Sequence, residues 1–235
     1  MSKNKLQHFE ENNTFTNLYQ PAFDELLRGF ELRGRWNELF FKNDNPITLE
    51  LGCGKGEYTL GLARKYKDRN FVGIDWKGAR LWRGCKTANE EQLRNVAFVR
   101  IKAEMLEYVF GFDELEEIWI TFPEPQPQLA KAKKRFTSPQ FNLRYHNVLK
   151  KNGLIHLKTD NDAFYDYTME VIKDSNHELL YCTRDLYAEN PTSEVAAIQT
   201  FYESMWLKQG LKIKYLEYRL NDDTDDEKII STIIK

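Results

Sequence analysis

The chain has 235 residues, of which 41% are hydrophobic and 30% are charged, and its formal net charge is −2. This length and composition describe one sizeable globular domain. No apolar run is long enough to span a bilayer, and residues 1–13 contain no signal-peptide core, so we expect a cytoplasmic protein with no membrane segment. The three cysteines, Cys53, Cys85 and Cys182, are widely spaced, which argues against a disulfide framework or a zinc site, and we expect no bound metal.

Strands and helices alternate along most of the chain. Strands are predicted at 47–51, 70–75, 96–101, 117–122, 153–158, 178–182 and 211–219, and helices at 57–66, 77–92, 138–149, 161–174 and 194–208. Asn152 and Gly153 form a helix-stop signal just before the fifth strand. The alternation predicts an α/β fold with a mostly parallel, seven-stranded sheet and helices on both faces.

The segments outside this alternation differ from it in composition. Residues 1–45 are rich in aromatic side chains, and we predict a partly flexible N-terminal extension that could cap the domain or contact a macromolecular substrate. Residues 46–220 form the α/β domain. Residues 221–235 form an acidic C-terminal tail; without its five acids, Asp222, Asp223, Asp225, Asp226 and Glu227, the rest of the chain carries a net charge of +3.

A glycine-rich turn follows the first strand of the domain. Glu50 lies near the end of that strand, Gly52, Gly54 and Gly56 alternate through the turn, and a helix can begin at Glu57. Such a strand–turn–helix unit binds nucleotide-like cofactors at the carboxyl end of its strand. The dinucleotide fingerprint Gly-x-Gly-x-x-Gly fails, because Glu57 stands at its sixth position. The remaining pattern resembles the first motif of S-adenosylmethionine-dependent methyltransferases, which we prefer to an ordinary glycine-rich turn.

A second acid, Asp75, ends the next predicted strand, 19 positions after Gly56. In nucleotide-binding folds an acid at this place accepts hydrogen bonds from the ribose hydroxyls. Taken alone, Asp75 could equally be a cap for a helix that opens near Lys77. The two motifs in register favour the ribose role.

The fourth strand of the domain runs into a proline-rich segment, Pro123–Gln128, with proline at every second place. Proline favours extended geometry in the residue before it, so Glu124, Gln126 and Gln128 are predicted to lie on one side, beside the cofactor. A stiff polar connector is the alternative. The long irregular passage to Thr137 favours a functional loop.

Two later segments add polar groups to the same predicted sheet edge. Asp160 follows the fifth strand, although for Asp160 alone an N-cap of the helix from Asn161 is the first choice. Thr200 and Glu203 lie three positions apart on a predicted helix, so they can reach one ligand together. An exposed helical face without function is the alternative for this pair.

Basic residues cluster in three places, two of them next to the predicted cofactor strands. The clusters are Arg28, Arg33 and Arg35; Lys77, Arg80, Arg83 and Lys86; and Lys131, Lys133, Lys134 and Arg135. Any one of them could be merely a solvated face. Together they indicate a phosphate-binding surface.

Five segments together resemble the bacterial tRNA (guanine-N7-)-methyltransferase family. They are Leu-Glu-Leu-Gly-Cys-Gly-Lys-Gly-Glu-Tyr, Gly-Ile-Asp-Trp-Lys-Gly, Phe-Pro-Glu-Pro-Gln-Pro, His-Leu-Lys-Thr-Asp-Asn and Thr-Phe-Tyr-Glu. The resemblance implies a class I S-adenosylmethionine-dependent methyltransferase fold for residues 46–220. It also implies methyl transfer from S-adenosyl-L-methionine to N7 of a tRNA guanosine in the variable loop. We expect a monomer or a homodimer.

The resemblance also implies roles for single residues. Glu124 takes the place of the catalytic aspartate, and the cofactor contacts are Glu50, Gly52, Gly54, Asp75, Glu104 and Glu124. Substrate contacts are Gln128, Asp160, Thr200, Phe201, Tyr202 and Glu203. From the clustering of basic residues, and not from the resemblance, we predict tRNA-backbone contacts at Lys131, Lys133, Lys134 and Arg135. The chain departs from the family pattern in the longer side chain of Glu124, in Gln126 and Gln128 in place of Trp and Lys, and in Lys102 in place of an acid.

Two other classes of function stay open at this point. A protein that binds cofactor and RNA but has weakened catalysis is suggested by the altered loop around Glu124. A small-molecule methyltransferase is the other alternative, for which the basic clusters and the aromatic N-terminal extension have no obvious use.

Overall fold

The computed structural model describes residues 3–221, so the predicted acidic tail beyond Asn221 lies outside the described residues. The chain forms two compact units, Met1–Leu115 and Glu116–Lys235. Between residues 3 and 221 there are eight strands, one more than the seven predicted. In the same stretch, no helix has both the length and the apolar character needed to cross a membrane.

Parallel strands form the centre of the first unit. They are β1 (Leu18–Tyr19), β2 (Ile47–Leu51), β3 (Asn70–Ile74) and β4 (Val96–Val99), in the order β1-β4-β3-β2 with parallel neighbours. Around them lie α1 (Lys3–Asn12), α2 (Phe23–Arg28), a π-helical turn (Asn37–Phe41), α3 (Glu57–Lys65), α4 (Gly78–Glu90) and a 3₁₀ helix (Ala103–Tyr108). Every residue of β2, β3 and β4 is buried, which explains their nearly continuous apolar sequence.

The extra strand comes from the aromatic N-terminal segment, because Leu18 and Tyr19 pair with β4. Trp36 is fully buried in this unit, and its indole N–H donates to the carbonyl of Val109 at 3.1 Å. Its ring lies 5.5 Å from that of Tyr19 and 5.8 Å from that of Phe110. Much of the segment's aromatic content therefore belongs to the core of the first unit.

The second unit has antiparallel pairing at one side. Its strands are β5 (Leu115–Thr121, of which all but the first residue belong to this unit), β6 (Leu149–Thr159), β7 (Glu178–Thr183) and β8 (Lys214–Arg219), in the order β5-β6-β8-β7. Strand β8 is antiparallel to both β6 and β7. The helices are a 3₁₀ helix (Leu129–Lys134), α5 (Pro139–His146), α6 (Asp162–Asp174), α7 (Leu186–Glu189), α8 (Glu194–Ala197) and α9 (Phe201–Lys208).

The predicted helix stop at Asn152 and Gly153 is wrong, since α5 has already ended at His146 and both residues lie inside β6. Asn152 has φ of 63°, a left-handed conformation that asparagine tolerates. A Cβ on Gly153 would lie 2.6 Å from Cγ of Leu149 and 2.9 Å from the carbonyl oxygen of Glu116. Gly153 therefore permits close packing against Leu149 of its own strand and against the backbone of β5.

Candidate active site

Three glycines with left-handed backbone form the turn after β2. The angle φ is 75° at Gly52, 59° at Gly54 and 71° at Gly56, a region that residues with a Cβ rarely adopt. A Cβ added at Gly54 would meet no heavy atom within 4 Å, so the space beside this residue can accept a ligand. A Cβ on Gly56 would lie 2.6 Å from the ring of Phe98, so Gly56 instead permits close packing.

Three consecutive N–H groups of this turn donate within the protein. Those of Gly52 and Cys53 donate to the carbonyl of Ile74 at 2.8 and 2.9 Å. That of Gly54 donates to Oδ2 of Asp75 at 3.0 Å. A pyrophosphate site at a helix N-terminus needs such N–H groups to point at the ligand. The turn therefore suits a cofactor that carries no phosphate.

Asp75 lies directly after β3 and is half-buried, and its carboxylate holds two backbone segments. Oδ2 accepts from Gly54, and Oδ1 accepts from the N–H of Lys77 at 2.7 Å. Helix α4 begins at Gly78 with Lys77 as its N-cap residue, so Asp75 is not the cap itself. The structure thus brings Asp75 and the glycine turn together. Oδ2 of Asp75 bonds to the turn, and Oδ1 bonds to the start of α4.

Glu50 is buried, with 3% of its surface exposed, and it connects β2 to α3. Its Oε2 accepts from the N–H of Thr59 at 2.8 Å and also from the Thr59 hydroxyl. Thr59 lies in the first turn of α3, where the helix dipole favours a negative charge. Thr59 is not among the predicted site residues, although a threonine two places after the helix start is a recognisable donor.

Lys102 and Glu104, which follow β4, are exposed. Lys102 is the N-cap residue of the 3₁₀ helix that starts at Ala103, and Glu104 lies in its first turn. The ammonium of Lys102 is 5.4 Å from the ring centroid of Trp76, the residue after Asp75. A basic group therefore stands where the family resemblance led us to expect an acid.

Helix α4 approaches the glycine turn with backbone against backbone. A Cβ on Gly84 would lie 2.8 Å from the carbonyl oxygen of Lys55 and 2.8 Å from the ring of Phe98. The same helix carries exposed Arg80 and Arg83, two members of a predicted phosphate-binding cluster. Their helix is thus fixed directly against the turn.

In the second unit, Glu124 lies on a loop with unusual backbone geometry. Phe122 and Gln126, on either side of it, have φ of 49° and 45°, values rare for residues with a Cβ. The predicted extended geometry is therefore wrong, because the left-handed Gln126 breaks the alternation. Its amide instead donates to Oε2 of Glu124 at 3.1 Å. Strained backbone of this kind clusters at functional sites.

The loop continues into a short basic helix. Gln128 is exposed and is the N-cap residue of the 3₁₀ helix Leu129–Lys134, whose basic side chains Lys131, Lys133 and Lys134 are exposed. The fourth base of the predicted cluster differs from these three. Arg135 is half-buried, its Nε donates to the carbonyl of Gln126 at 3.1 Å, and its guanidinium carbon lies 4.2 Å from the ring centroid of Tyr167. Arg135 therefore anchors the strained loop.

Asp160 is half-buried just after β6, and it is not the N-cap of α6. That role belongs to Asn161, whose side chain accepts from the N–H of Phe164 at 2.8 Å. The backbone carbonyl of Asp160 accepts from the ammonium of Lys214 at 2.9 Å. Within residues 3–221, its carboxylate makes no hydrogen bond, which leaves it available to a ligand.

The predicted helix 194–208 is divided into α8 and α9, because Thr200 caps α9. The Thr200 hydroxyl accepts from the N–H of Glu203 at 3.3 Å, and the Glu203 carboxylate accepts from the N–H of Thr200 at 3.2 Å. This is a capping box. The prediction that Thr200 and Glu203 share a face and reach one ligand together is therefore wrong for Glu203, which is fully buried and bonds to Thr200.

The buried Glu203 pairs with a buried lysine that the sequence analysis did not assign. Nζ of Lys158, on β6, lies 2.7 Å from Oε1 of Glu203 and donates to the carbonyls of Val195 at 2.9 Å and Ile198 at 3.1 Å. The hydroxyl of Tyr187 donates to the same carboxylate oxygen at 2.7 Å. Burial lowers the pKa of the Lys158 ammonium, while Glu203 acts in the opposite direction. The sequence feature that could have identified this pair is a lysine within a predicted buried strand, because a buried charge needs a partner of opposite charge.

This network fixes the position of two exposed aromatic side chains. Phe201 and Tyr202, next to Thr200, are 58% and 52% exposed, and their ring centroids lie 5.7 Å apart. Exposed aromatic rings on a fixed helix end can stack on a nucleobase.

Cys53, the thiol closest in sequence to the predicted cofactor site, is unsuited to nucleophilic chemistry. Burial raises the pKa of its thiol well above the usual range, and the carboxylates of Glu50 and Asp75 raise it further. Among the described residues, no three His, Cys, Asp or Glu side chains are grouped so that they could hold a metal ion. The predicted cofactor and substrate contacts offer carboxylates, amides, hydroxyls and aromatic rings.

Comparison with known proteins identifies the family. Residues 44–216 match a family model described as "Putative methyltransferase". The tRNA (guanine-N(7)-)-methyltransferase of Christiangramia forsetii is 53% identical over 93% of this chain and 99% of its own length. The enzyme of the same name from Bacteroides fragilis is 42% identical over 94% of this chain and 87% of its own length.

Among solved structures, the 16S rRNA methyltransferase KamB has a TM-score of 0.60 and 15% identity, over 78% of this chain and 92% of that chain. This likeness confirms the predicted class I methyltransferase fold. Sequence identity of 53% over nearly the whole length of a relative shows the family as well as the fold. The chain belongs to the tRNA (guanine-N7-)-methyltransferase family.

Proposed function

We propose that the protein transfers a methyl group from S-adenosyl-L-methionine to N7 of a guanosine in the variable loop of tRNA. The observation that carries this proposal is the 53% identity to the Christiangramia forsetii enzyme, which extends over 93% of the chain. Because tRNA is the proposed substrate, we expect the enzyme to work in the cytoplasm.

The first unit offers groups that fit this cofactor. The turn at Gly54 has open space, and its neighbouring N–H groups are already used, which suits a ligand without phosphates. Asp75 would accept hydrogen bonds from the ribose hydroxyls, and Glu104 would contact the adenine. Glu50 would hold β2 and α3, on either side of the turn, together through Thr59. When bound, the cofactor supplies an electrophilic methyl group on a sulfonium.

The reaction does not require a general base. Guanine N7 is an acceptor with a free lone pair, so no proton has to leave before it attacks. The protein's residues would orient the base and exclude water. The developing positive charge on the purine would be stabilised by the carboxylates of Glu124 and Asp160, both of which are accessible.

The remaining predicted site residues divide into ligand contacts and supports. Thr200, Phe201, Tyr202 and Gln128 would contact the substrate, and Lys131, Lys133 and Lys134 would contact the tRNA backbone without reading sequence. Glu203 and Arg135 would act indirectly. Glu203 positions the start of α9, and Arg135 holds the loop that carries Glu124.

A direct test uses the purified chain, S-adenosylmethionine and an unmodified tRNA transcript, with 7-methylguanosine mapped by strand scission at the modified base. We expect one product, at a guanosine of the variable loop. The matched control is a transcript carrying 7-deazaguanosine at that position, which lacks the N7 lone pair and must not react. Methylation of the deaza transcript, or of small molecules only, would overturn the proposal.

A further inference from the structure

The turn that carries Asp160 is held by hydrogen bonds to its backbone. Asp160 stands between Thr159, the last residue of β6, and Asn161, the N-cap residue of α6. The hydroxyl of Thr159 accepts from the N–H of Asn161 at 3.1 Å, so the turn is closed across Asp160. The carbonyl of Asp160 accepts from Nζ of Lys214 at 2.9 Å. Neither bond uses the carboxylate of Asp160.

Lys214 makes its bond to this turn from a buried position on the neighbouring strand. It is the first residue of β8, it stands opposite Thr159 in the antiparallel ladder, and its side chain is 6% exposed. Taking an ammonium out of water is costly unless it gains a partner of opposite charge. That partner is Asp162, in the first turn of α6, whose Oδ1 lies 3.0 Å from Nζ of Lys214.

Asp162 is in turn held at the start of α6, although its side chain is 70% exposed. Nη1 of Arg184, the residue after β7, lies 3.8 Å from Oδ1 of Asp162. The same guanidinium pairs with Asp166, one turn further along α6. The ammonium of Lys214 therefore lies between two fixed groups, the carbonyl of Asp160 and the carboxylate of Asp162.

We propose that Lys214 is a positioning residue for methyl transfer, which orients Asp160 toward the guanine. Thr159 is fixed in the ladder, and the peptide unit after Asp160 is bonded at both its carbonyl and its N–H. Because peptide units are planar, fixing the units on both sides of Asp160 also fixes its φ and ψ, and with them the direction of its Cβ. The inference rests on the proposed function in one respect, namely that Asp160 contacts the guanosine.

The pairing with Asp162 also matters for the charge at this turn. Lys214 and Asp162 neutralise each other, so the carboxylate of Asp160 keeps its negative charge for the purine cation. A carboxylate stabilises a developing charge most effectively when it is already held in place.

A contact that stabilises only the fold is the alternative role for Lys214. It would connect β8 with α6, and its loss would lower the free energy of unfolding without slowing the reaction of the folded protein. The two roles therefore differ in how the effects of changing Lys214 and Asp160 combine.

The test is a double-mutant cycle on the full-length protein, measured as the single-turnover rate of methyl transfer to an unmodified tRNA transcript at saturating S-adenosylmethionine. Lys214→Met removes the donor and the charge, and it should lower this rate about 10- to 100-fold, the effect of a misplaced group. Asp160→Ala should lower the rate by at least as much. In the Asp160→Ala background, Lys214→Met should cause no further loss, because residues that act through one another are not additive.

Two controls accompany the cycle. Affinity for S-adenosylhomocysteine, measured by calorimetry, should not change in Lys214→Met, because Lys214 and Asp160 are not among the predicted cofactor contacts. Lys212→Met is the matched variant, since Lys212 is 67% exposed and pairs with Asp185 at 3.2 Å. It should leave the rate unchanged.

Thr159→Val gives a second way to loosen the turn, because it removes the acceptor for the N–H of Asn161. It should reproduce the cycle with Asp160→Ala, and it decides the question if Lys214→Met does not fold.

An unchanged rate in the folded variant, or a loss that multiplies with that of Asp160→Ala, would assign Lys214 to the fold alone and overturn the inference. A full rate in Asp160→Ala would also overturn it, with the proposed function intact. A wild-type protein that does not methylate tRNA would contradict the proposed function, and the inference with it.

Discussion

At the scale of single residues, Asp75 shows how one carboxylate can serve structure and ligand together. A carboxylate has about four lone-pair sites, and the N–H groups of Gly54 and Lys77 use two of them. The remaining capacity is enough for two ribose hydroxyls. The sequence left two alternative roles for Asp75, one at the start of a helix and one as a ribose contact. In the structure, these two roles are compatible.

We predict that Asp75→Ala weakens S-adenosylmethionine binding by about 1–3 kcal/mol, because the ribose hydroxyls and two backbone N–H groups lose their acceptor. Asp75→Asn keeps one oxygen and should lose less. Calorimetry on both variants checks this, with Asp68→Ala, an exposed aspartate before β3, as the control. Equal affinity in a folded Asp75→Ala variant would remove Asp75 from the cofactor site.

Glu124 is the residue where chemistry and family pattern differ most. We predict that Glu124→Gln lowers the single-turnover rate of methyl transfer by about 10²–10³, since one preorganised charge is lost. Glu124→Asp should keep much of the activity, although its shorter side chain gives up the contact with Gln126.

Rates for wild type and both variants should be measured from pH 6 to 8, together with cofactor affinity. Because N7 needs no deprotonation, no general-base pKa should appear near neutrality. Full activity in Glu124→Gln would transfer the catalytic assignment to Asp160.

At the scale of elements, the buried pair Lys158–Glu203 connects β6 with the start of α9. All three N–H groups of the ammonium have acceptors, and both side chains are fully buried. The pair therefore determines where Thr200, Phe201 and Tyr202 lie. It positions the proposed substrate contacts without being exposed to a ligand.

Breaking this pair from one side should be costly. We predict that Lys158→Met lowers the free energy of unfolding by about 3–5 kcal/mol, because Glu203 is left as an unpaired buried charge. The double variant Lys158→Met, Glu203→Leu should recover much of that loss. Urea unfolding of the single and double variants checks this, and equal losses in both would mean that the pair contributes through packing alone.

Elements were predictable where local sequence decides them. Strands β2 and β3 match their predicted ranges to within one residue, since they are buried throughout and flanked by polar turns. The split between α8 and α9 was also readable, because Thr200 and Glu203 have the spacing of a capping box. Lys158 could not be matched to Glu203, because residues 45 positions apart meet only through tertiary packing.

At the scale of the whole molecule, stability should depend on pH through His177. Burial lowers the pKa of its imidazole to about 4, and the neighbouring His146 adds to the effect. Its Nδ1 accepts from the N–H of Asn221 at 3.1 Å, and its Nε2 lies 3.0 Å from the amide of Asn142. A proton on Nδ1 would break the first of these bonds.

The unfolded chain therefore binds a proton at His177 near pH 6.5, and the folded chain binds it only near pH 4. Above pH 6.5, His177 should not reduce the free energy of unfolding. As the pH is lowered to 4, that free energy should fall by at most about 3 kcal/mol. Chemical denaturation at several pH values measures this. His177→Gln should flatten the dependence, and an unchanged slope in that variant would exclude His177 as its source.

The N-terminal aromatics show the limit of sequence reasoning at this scale. Their composition indicated an extension, since no regular alternation ran through them. In the structure, Trp36 is fully buried in the first unit and β1 extends the strand order beside β4. A two-residue strand has too little pattern to be recognised, and its pairing partners in β4 lie 80 positions further along the chain.

The contact between Gly84 and the carbonyl of Lys55 has a consequence for how two ligands share the first unit. A helix that touches a turn through backbone atoms has no flexible side chain between them to absorb a small displacement. If Arg80 and Arg83 draw α4 toward an RNA phosphate, the turn at Gly54 should move with it. Affinity for nucleic acid and affinity for cofactor should then be thermodynamically linked, each changing the other by the same factor.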